Sequence, residues 1–334
     1  MEPSPDHPHA YFKRQSEPHD AILNRIKPPP WRDFTDPAKN QNERGALYIP
    51  REEEVALVNA AFQLRRPLLV TGKAGIGKST LAHAVAHQLQ LGEVLVWPIT
   101  SRSTLQQGLY HYDAVARLQD ASLQSQKSRH RRGKARPSAP DIGRYIRLGP
   151  LGTALLTSTK IKPRVLLIDE IDKSDIDLPN DLLHLFEEGE FEIPELSRLP
   201  EGAVYDEITV GLHKRESSTK SIKRGHVRCE DFPLVILTSN DEREFPPAFK
   251  RRCLRLEIKL PNEDELRQIV EKRVALNPED NPKVTTLLKS FQSKLESGEM
   301  STDQLLNAVY LVARDLSSED AMVIKDVVLR PLNQ

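Results

Sequence analysis

Gly72-Lys-Ala-Gly-Ile-Gly77-Lys78-Ser79 decides how this chain of 334 residues is read. The stretch fits G-x-x-x-x-G-K-[ST]. It lies between an apolar strand-like segment ending at Thr71 and the helical run Leu81-Ala-His-Ala-Val85, the context in which that pattern cradles phosphate groups. Gly72, Gly75 and Gly77 let the backbone curl so that successive amide groups face one point, and the helix that follows adds the positive end of its dipole. Lys73, Ala74, Ile76 and Thr80 complete the loop. Lys78 is placed to reach the β and γ phosphates of a nucleotide, and Ser79 to ligate Mg2+.

Outward from this loop, strand-like segments fall at residues 67–71, 94–97, 164–168, 234–238 and 254–260. Several are continuously apolar, which suits strands buried on both faces of a parallel sheet whose crossovers are helices. The pattern predicts a doubly wound α/β core over residues 45–260. After Pro261 the period becomes helical. Asn262 and Glu265 are spaced as a cap and its third-position partner, Leu266, Ile269, Val270 and Val274 form one stripe, and Leu287, Leu288, Phe291 and Leu295 a second. Ser301 and Gln304 offer another cap ahead of Leu305, Leu306, Val309 and Tyr310, and Met322, Ile324, Val327 and Val328 suggest a last helix. Residues 261–334 therefore read as a small all-helical domain.

Two interruptions break the core. Residues 122–140 carry Lys127, Arg129, Arg131, Arg132, Lys134 and Arg136 among Ser, Gln, Gly and Pro, and read as a solvated basic loop. Residues of about 196–230 alternate glycines and serines with short β-prone pieces, and read as an inserted hairpin. The proline-rich segment 1–44 reads as an extended arm, in which Trp31 and Phe34 are either docking residues or part of an unstructured leader.

Three further elements carry chemistry. Val165-Leu-Leu-Ile168-Asp169-Glu170 is an apolar strand delivering two carboxylates at its end: Asp169 to hold magnesium, Glu170 to polarise an attacking water as general base. Leu237-Thr-Ser-Asn240 ends another strand, and its amide suits the attacking water or the γ-phosphate. Pro246-Pro-Ala-Phe-Lys250-Arg251-Arg252-Cys253 is a basic cluster before the last core strand. An arginine there can cross a subunit boundary to a neighbour's γ-phosphate, with Arg252 preferred over Arg251.

Composition narrows the field. The 48 basic residues match 48 acidic ones, so net charge selects neither nucleic acid nor membrane. Cys229 and Cys253 form no disulfide framework, and neither a basic leader with an apolar stretch nor a membrane-length apolar run occurs, so the sequence reads as cytoplasmic. His83 and His87 are spaced i, i+4 but lack a third ligand, and read as a packed or solvated pair rather than a metal site.

Taken in this order, the four elements resemble AAA+ ATPases, with Asn240 as sensor 1 and Arg251 or Arg252 as arginine finger. The finer resemblance is to MoxR-like members, carried by Ile99-Thr-Ser-Arg-Ser-Thr104, Leu109-Tyr-His-Tyr-Asp-Ala-Val-Ala-Arg-Leu118, Asp141-Ile-Gly-Arg-Tyr-Ile-Arg-Leu-Gly-Pro-Leu-Gly152, Asp169-Glu-Ile-Asp-Lys-Ser174 and Ala248-Phe-Lys-Arg-Arg-Cys253. The resemblance implies a P-loop αβα core with a five-stranded parallel sheet in order 5-1-4-3-2, a helical lid, ATP and Mg2+ as ligands, and homo-oligomeric rings that are usually hexameric. It also implies inserts that contact protein clients, and a von Willebrand factor A domain protein as partner. Some close relatives occur in bacterial conflict gene sets. One departure is that Ser301-Thr-Asp-Gln-Leu-Leu-Asn307 holds no sensor 2 arginine.

Three functions stay open on the sequence: an ATP-driven remodeller of a protein client, a nucleic-acid motor supported only by the basic loop, and a slowly hydrolysing nucleotide-dependent assembly switch. The first is favoured.

Overall fold

The structure is a computed structural model that describes residues 29–32, 35, 37–130, 141–200, 202, 206–213, 218–274, 281–296 and 302–312. The expectations placed on residues 1–28, Phe34, the run 131–140, Ser301 and the helix containing Met322, Ile324, Val327 and Val328 lie outside the described residues. The chain divides into two compact units, one made of Arg51–Thr71 and Leu89–Glu257, the other of Met1–Pro50, Gly72–Gln88 and Ile258–Gln334.

The first unit is built on a five-stranded parallel sheet formed by β1 (Leu68–Thr71), β2 (Leu95–Pro98), β5 (Val165–Asp169), β10 (Leu234–Thr238) and β11 (Leu254–Glu257). Its spatial order is β11-β1-β10-β5-β2, which is 5-1-4-3-2 when these strands alone are counted along the chain. β10 is buried at every position and β5 at all but its last, so the side-chain alternation of a half-exposed sheet is absent. β10 pairs with β1 through Leu68↔Ile236 and with β5 through Ile236↔Leu167, and this fixes which carboxyl ends are neighbours. Helix α2 (Glu52–Leu64) leads into β1. Its first turn is acidic, which suits the dipole, Glu54 caps the Arg51 N–H at 3.1 Å, and Arg65 ends the helix in the left-handed region.

The same unit contains a second, six-stranded sheet ordered β3-β4-β7-β8-β9-β6. Its strands are β3 (Tyr110–Tyr112), β4 (Ile146–Leu148), β6 (Glu190–Glu192), β7 (Glu207–Gly211), β8 (Thr219–Lys223) and β9 (His226–Arg228). The hairpin expected near 196–230 is present as β7 and β8, paired antiparallel from Glu207↔Lys223 to Gly211↔Thr219. It does not stand alone. β7 joins β4 at Arg147↔Gly211, and β9 pairs antiparallel with β6 through Phe191↔Val227, so the insert recruits strands that flank the core. Helices α4 (Leu105–Leu109), α6 (Pro150–Thr157), α7 (Leu178–Glu188), α8 (Pro194–Ser197) and α9 (Pro247–Arg252) complete the unit with α5 (Ala114–His130).

α5 corrects one expectation: residues 122–130, read as the start of a basic loop, are helical. The physical reason is that Ala, Leu, Gln and Lys are good helix formers and no Gly or Pro intervenes between Ala114 and His130, which outweighs the charge pattern.

In the second unit α1 (Pro37–Ala46) corrects another, since residues 37–46 are a helix and not extended arm. Pro37 stands at the helix start, where its missing N–H costs nothing, and no proline follows until Pro50. α1 lies across α3 (Lys78–Gln88) at Gly45, where a Cβ would collide with the His83 carbonyl and come within 2.8 Å of His87 Cβ. On this face His83 is buried and His87 is exposed. Helices α10 (Glu263–Val274), α11 (Pro282–Glu296) and α12 (Thr302–Val312) share a core of Leu266, Val270, Leu287, Phe291, Leu305 and Val309. Each fully buried side chain of this kind contributes about 1.5–3 kcal/mol. Asn262 and Glu265 cap α10 reciprocally, at 2.8 and 2.9 Å. Trp31 docks on α12, donating its indole N–H to Asn307 at 3.3 Å and meeting Tyr310 edge-on.

Candidate functional site

The phosphate loop leaves the carboxyl end of β1 and runs into α3. Gly72, Gly75 and Gly77 have φ of 139, 74 and 99°, a region side-chain-bearing residues avoid, so the curl that turns amides toward one point needs glycine at all three. Lys73, Ala74 and Gly75 form the exposed crest, while Ile76, Ser79 and Thr80 are half-buried. Lys78, the first residue of α3, is buried and folds back on the loop, its Nζ donating to the carbonyls of Gly72 at 2.6 Å and Lys73 at 2.8 Å. The ammonium is thus held by the backbone it would leave to meet a phosphate. Tyr48 lies beside Gly77, its ring carbon 3.7 Å from where a Cβ would stand.

In the sheet unit, β5 ends at Asp169 and the next residue, Glu170, takes a left-handed backbone with φ 61° and ψ 50°. Such a conformation costs of order 1 kcal/mol in a residue with a side chain, and here the surroundings enforce it. The enforcing group is the Thr238 hydroxyl at the end of β10, only 1% exposed: it accepts from the Glu170 N–H at 2.9 Å and donates to Asp169 Oδ1 at 2.7 Å. One hydroxyl therefore sets the backbone of one carboxylate and the rotamer of the other. The Glu170 carboxylate engages Lys173 Nζ at 2.7 Å, and this hydrogen bond holds the Lys173 ammonium above its usual pKa. Asp172, 5% exposed, accepts from the Asn240 N–H at 2.8 Å and the Glu242 N–H at 3.3 Å, fixing the turn that presents Asn240. Two carboxylates and an amide are brought together at the carboxyl ends of adjacent strands, a set able to orient water against an electrophile.

The sequence profile of the AAA domain (dynein-related subfamily) matches residues 67–253, more than half of the chain. The chain belongs to this AAA family. As an AAA protein it is an ATPase. No curated protein gives a significant match. Among solved structures, this AAA protein is similar to PCH-2 of C. elegans, at 14% identity and TM-score 0.38, covering 89% of this chain and 69% of that one. It is also similar to a provisionally assigned ATPase of Cytophaga hutchinsonii, at 11% identity and TM-score 0.37, covering 71% of this chain and 55% of that one.

The basic cluster of the AAA domain sits elsewhere. Arg251 and Arg252 end α9, just ahead of β11, so they lie at the amino edge of the sheet that carries Asp169, Glu170 and Asn240 at its carboxyl edge. The structure does not bring them to those carboxylates. Arg252 Nε instead pairs with Glu187 Oε1 at 2.6 Å, and Arg251 is exposed with its carbonyl accepting from Arg66 at 3.2 Å. Cys253 beside them is buried, and desolvation pushes its thiol up to about 12.

Thr238, Asp172, Lys173 and Glu187 are the residues that sequence reasoning missed. A hydroxyl ending an otherwise apolar strand two residues before Asn240, and a second acid three residues after Asp169, were the available signals. A Thr238→Val substitution is expected to leave the Glu170 N–H without a partner, costing about 1–3 kcal/mol of stability. Turnover should fall about tenfold to a hundredfold with ATP affinity within a few-fold of wild type. Thermal melts and steady-state rates check this, and Thr238→Ser, which keeps the hydroxyl, should restore most of the rate.

Proposed function

We propose that this AAA protein hydrolyses ATP at sites shared between neighbouring subunits of a MoxR-like ring, and that the cycle remodels a protein client. The observation that supports a shared site is the placement of Arg252. A four-residue strand spans about 13 Å, so an arginine at the amino edge is a strand length removed from carboxylates at the carboxyl edge of its own sheet. A neighbour's nucleotide is the target it can serve.

Within this reading the glycine loop and Lys78 bind the β and γ phosphates, Asn240 orients the attacking water, and Glu170 takes its proton. Ser79 and Asp169 are the residues that would hold Mg2+, a hydroxyl and a carboxylate being the hard oxygen donors this ion prefers. When bound, the metal neutralises charge on the phosphates. Arg252 contributes a planar fork of donors to the charge that develops on the neighbour's γ-phosphate. The hairpin β7–β8 is the proposed client contact, and a von Willebrand factor A domain protein the proposed partner, both following from the MoxR-like motifs. Among the described residues no helix is long and apolar enough to cross a membrane. From the MoxR-like resemblance we infer a homo-oligomeric ring, a hexamer, working in the cytoplasm.

The test is ATPase rate per subunit against protein concentration, with mass photometry on the same samples. The rate should rise with assembly, and Arg252→Ala should lower the assembled rate by about a thousandfold. A monomer whose rate ignores both concentration and Arg252 would overturn the shared site.

A further inference from the structure

The two arginines that end α9 differ in one respect that bears on their use. Arg251 is exposed, and among the described residues no carboxylate pairs with its guanidinium; Arg252 is tethered to Glu187, the penultimate residue of α7. The tether is at Nε, the inner edge of the guanidinium. A hydrogen bond there fixes the plane of the group while leaving both Nη nitrogens, the fork that meets a phosphate, unspent.

Both ends of the tether are seated on packed structure. α9 is anchored by Phe249, which is fully buried and packs against Phe245, and the chain beyond it is tied down where the Leu254 N–H donates to the Pro67 carbonyl at 2.9 Å. α7 is anchored by Phe186, edge-on to Phe232. Glu187 and Arg252 together line a cleft of about 360 Å³, along with Arg66, Phe186 and Phe232. The pair itself is about half exposed, 40% for Arg252 and 54% for Glu187, and exposed pairs of this kind add little to stability. What the pair supplies is orientation: an arginine that must reach across a boundary loses less freedom on arrival if its plane is already set.

We propose that Glu187 is a positioning residue for Arg252, holding its fork toward the γ-phosphate bound by the adjoining subunit. This rests on the shared-site reading above, and the experiment separates the two. Arg252→Ala subunits lack the arginine but keep Glu170; Glu170→Gln subunits lack the base but supply the arginine. Mixed in equal amounts, they should recover ATPase activity that neither shows alone. Adding Glu187→Ala, which removes the acceptor, to the Glu170→Gln partner that donates the arginine should cut the recovered rate about fivefold to tenfold. Adding it to the Arg252→Ala partner should leave that rate as it was, and melting temperatures should match in both. Equal loss in the two arrangements, or loss in neither, overturns the role of Glu187 while the shared site stands. No recovery in the parent mixture overturns the shared site and the proposal with it.

Discussion

Glu170→Gln should abolish turnover and leave ATP bound. General-base assistance contributes about 10²- to 10⁴-fold, so the rate should drop by at least about a hundredfold. Binding should persist because glutamine keeps the side-chain length and an oxygen for Lys173, whose Nζ lies 2.7 Å from the glutamate. The left-handed backbone at this position is held by the Thr238 hydroxyl through the N–H at 2.9 Å, a contact the substitution does not touch. Filter retention of labelled ATP together with phosphate release checks both halves. A variant that still turns over within threefold of wild type would remove Glu170 from the role of base.

Lys78→Ala should fail one step earlier. The ammonium spans the Gly72 and Lys73 carbonyls, so truncation removes both the phosphate contact and the brace that shapes the loop. A charge-assisted contact of this sort is worth about 1.5–3 kcal/mol, which predicts ATP affinity lower by roughly 10- to 150-fold. Turnover at modest ATP falls accordingly. Calorimetric titration with ATP in the presence of the Glu170→Gln background isolates binding from hydrolysis, and an unchanged dissociation constant would count against the loop as the phosphate site.

The parts of the fold that were legible are those whose signal is local. β1, β5 and β10 announce themselves as unbroken apolar runs, the loop from Gly72 to Ser79 by its glycines, and the α10 cap by the spacing of Asn262 and Glu265. The second sheet was legible only as a hairpin, because β3, β4, β6 and β9 are three residues each, too short to show a period, and their partners lie far along the chain: Tyr110 with Leu148, Glu190 with Arg228. The same distance hid the site's supports. Glu187 reads as a polar helix end until folding sets it against Arg252, and Thr238 reads as strand until its hydroxyl is found between Asp169 and the Glu170 amide.

The second sheet also has a mechanical meaning. β4 runs into α6 ahead of β5, and β6 follows α7 after it, so the strands that β7 and β9 recruit bracket the catalytic strand in the chain. The hairpin is further stitched to α6 itself, with Lys220 Nζ on the Leu156 carbonyl at 2.8 Å and the His213 N–H on the Thr153 hydroxyl at 3.0 Å. These bonds link the hairpin to segments on both sides of Asp169 and Glu170, the two residues that share the Thr238 hydroxyl. Under the remodelling function proposed above, such a subunit would turn the pull on its client into a change in its own hydrolytic rate.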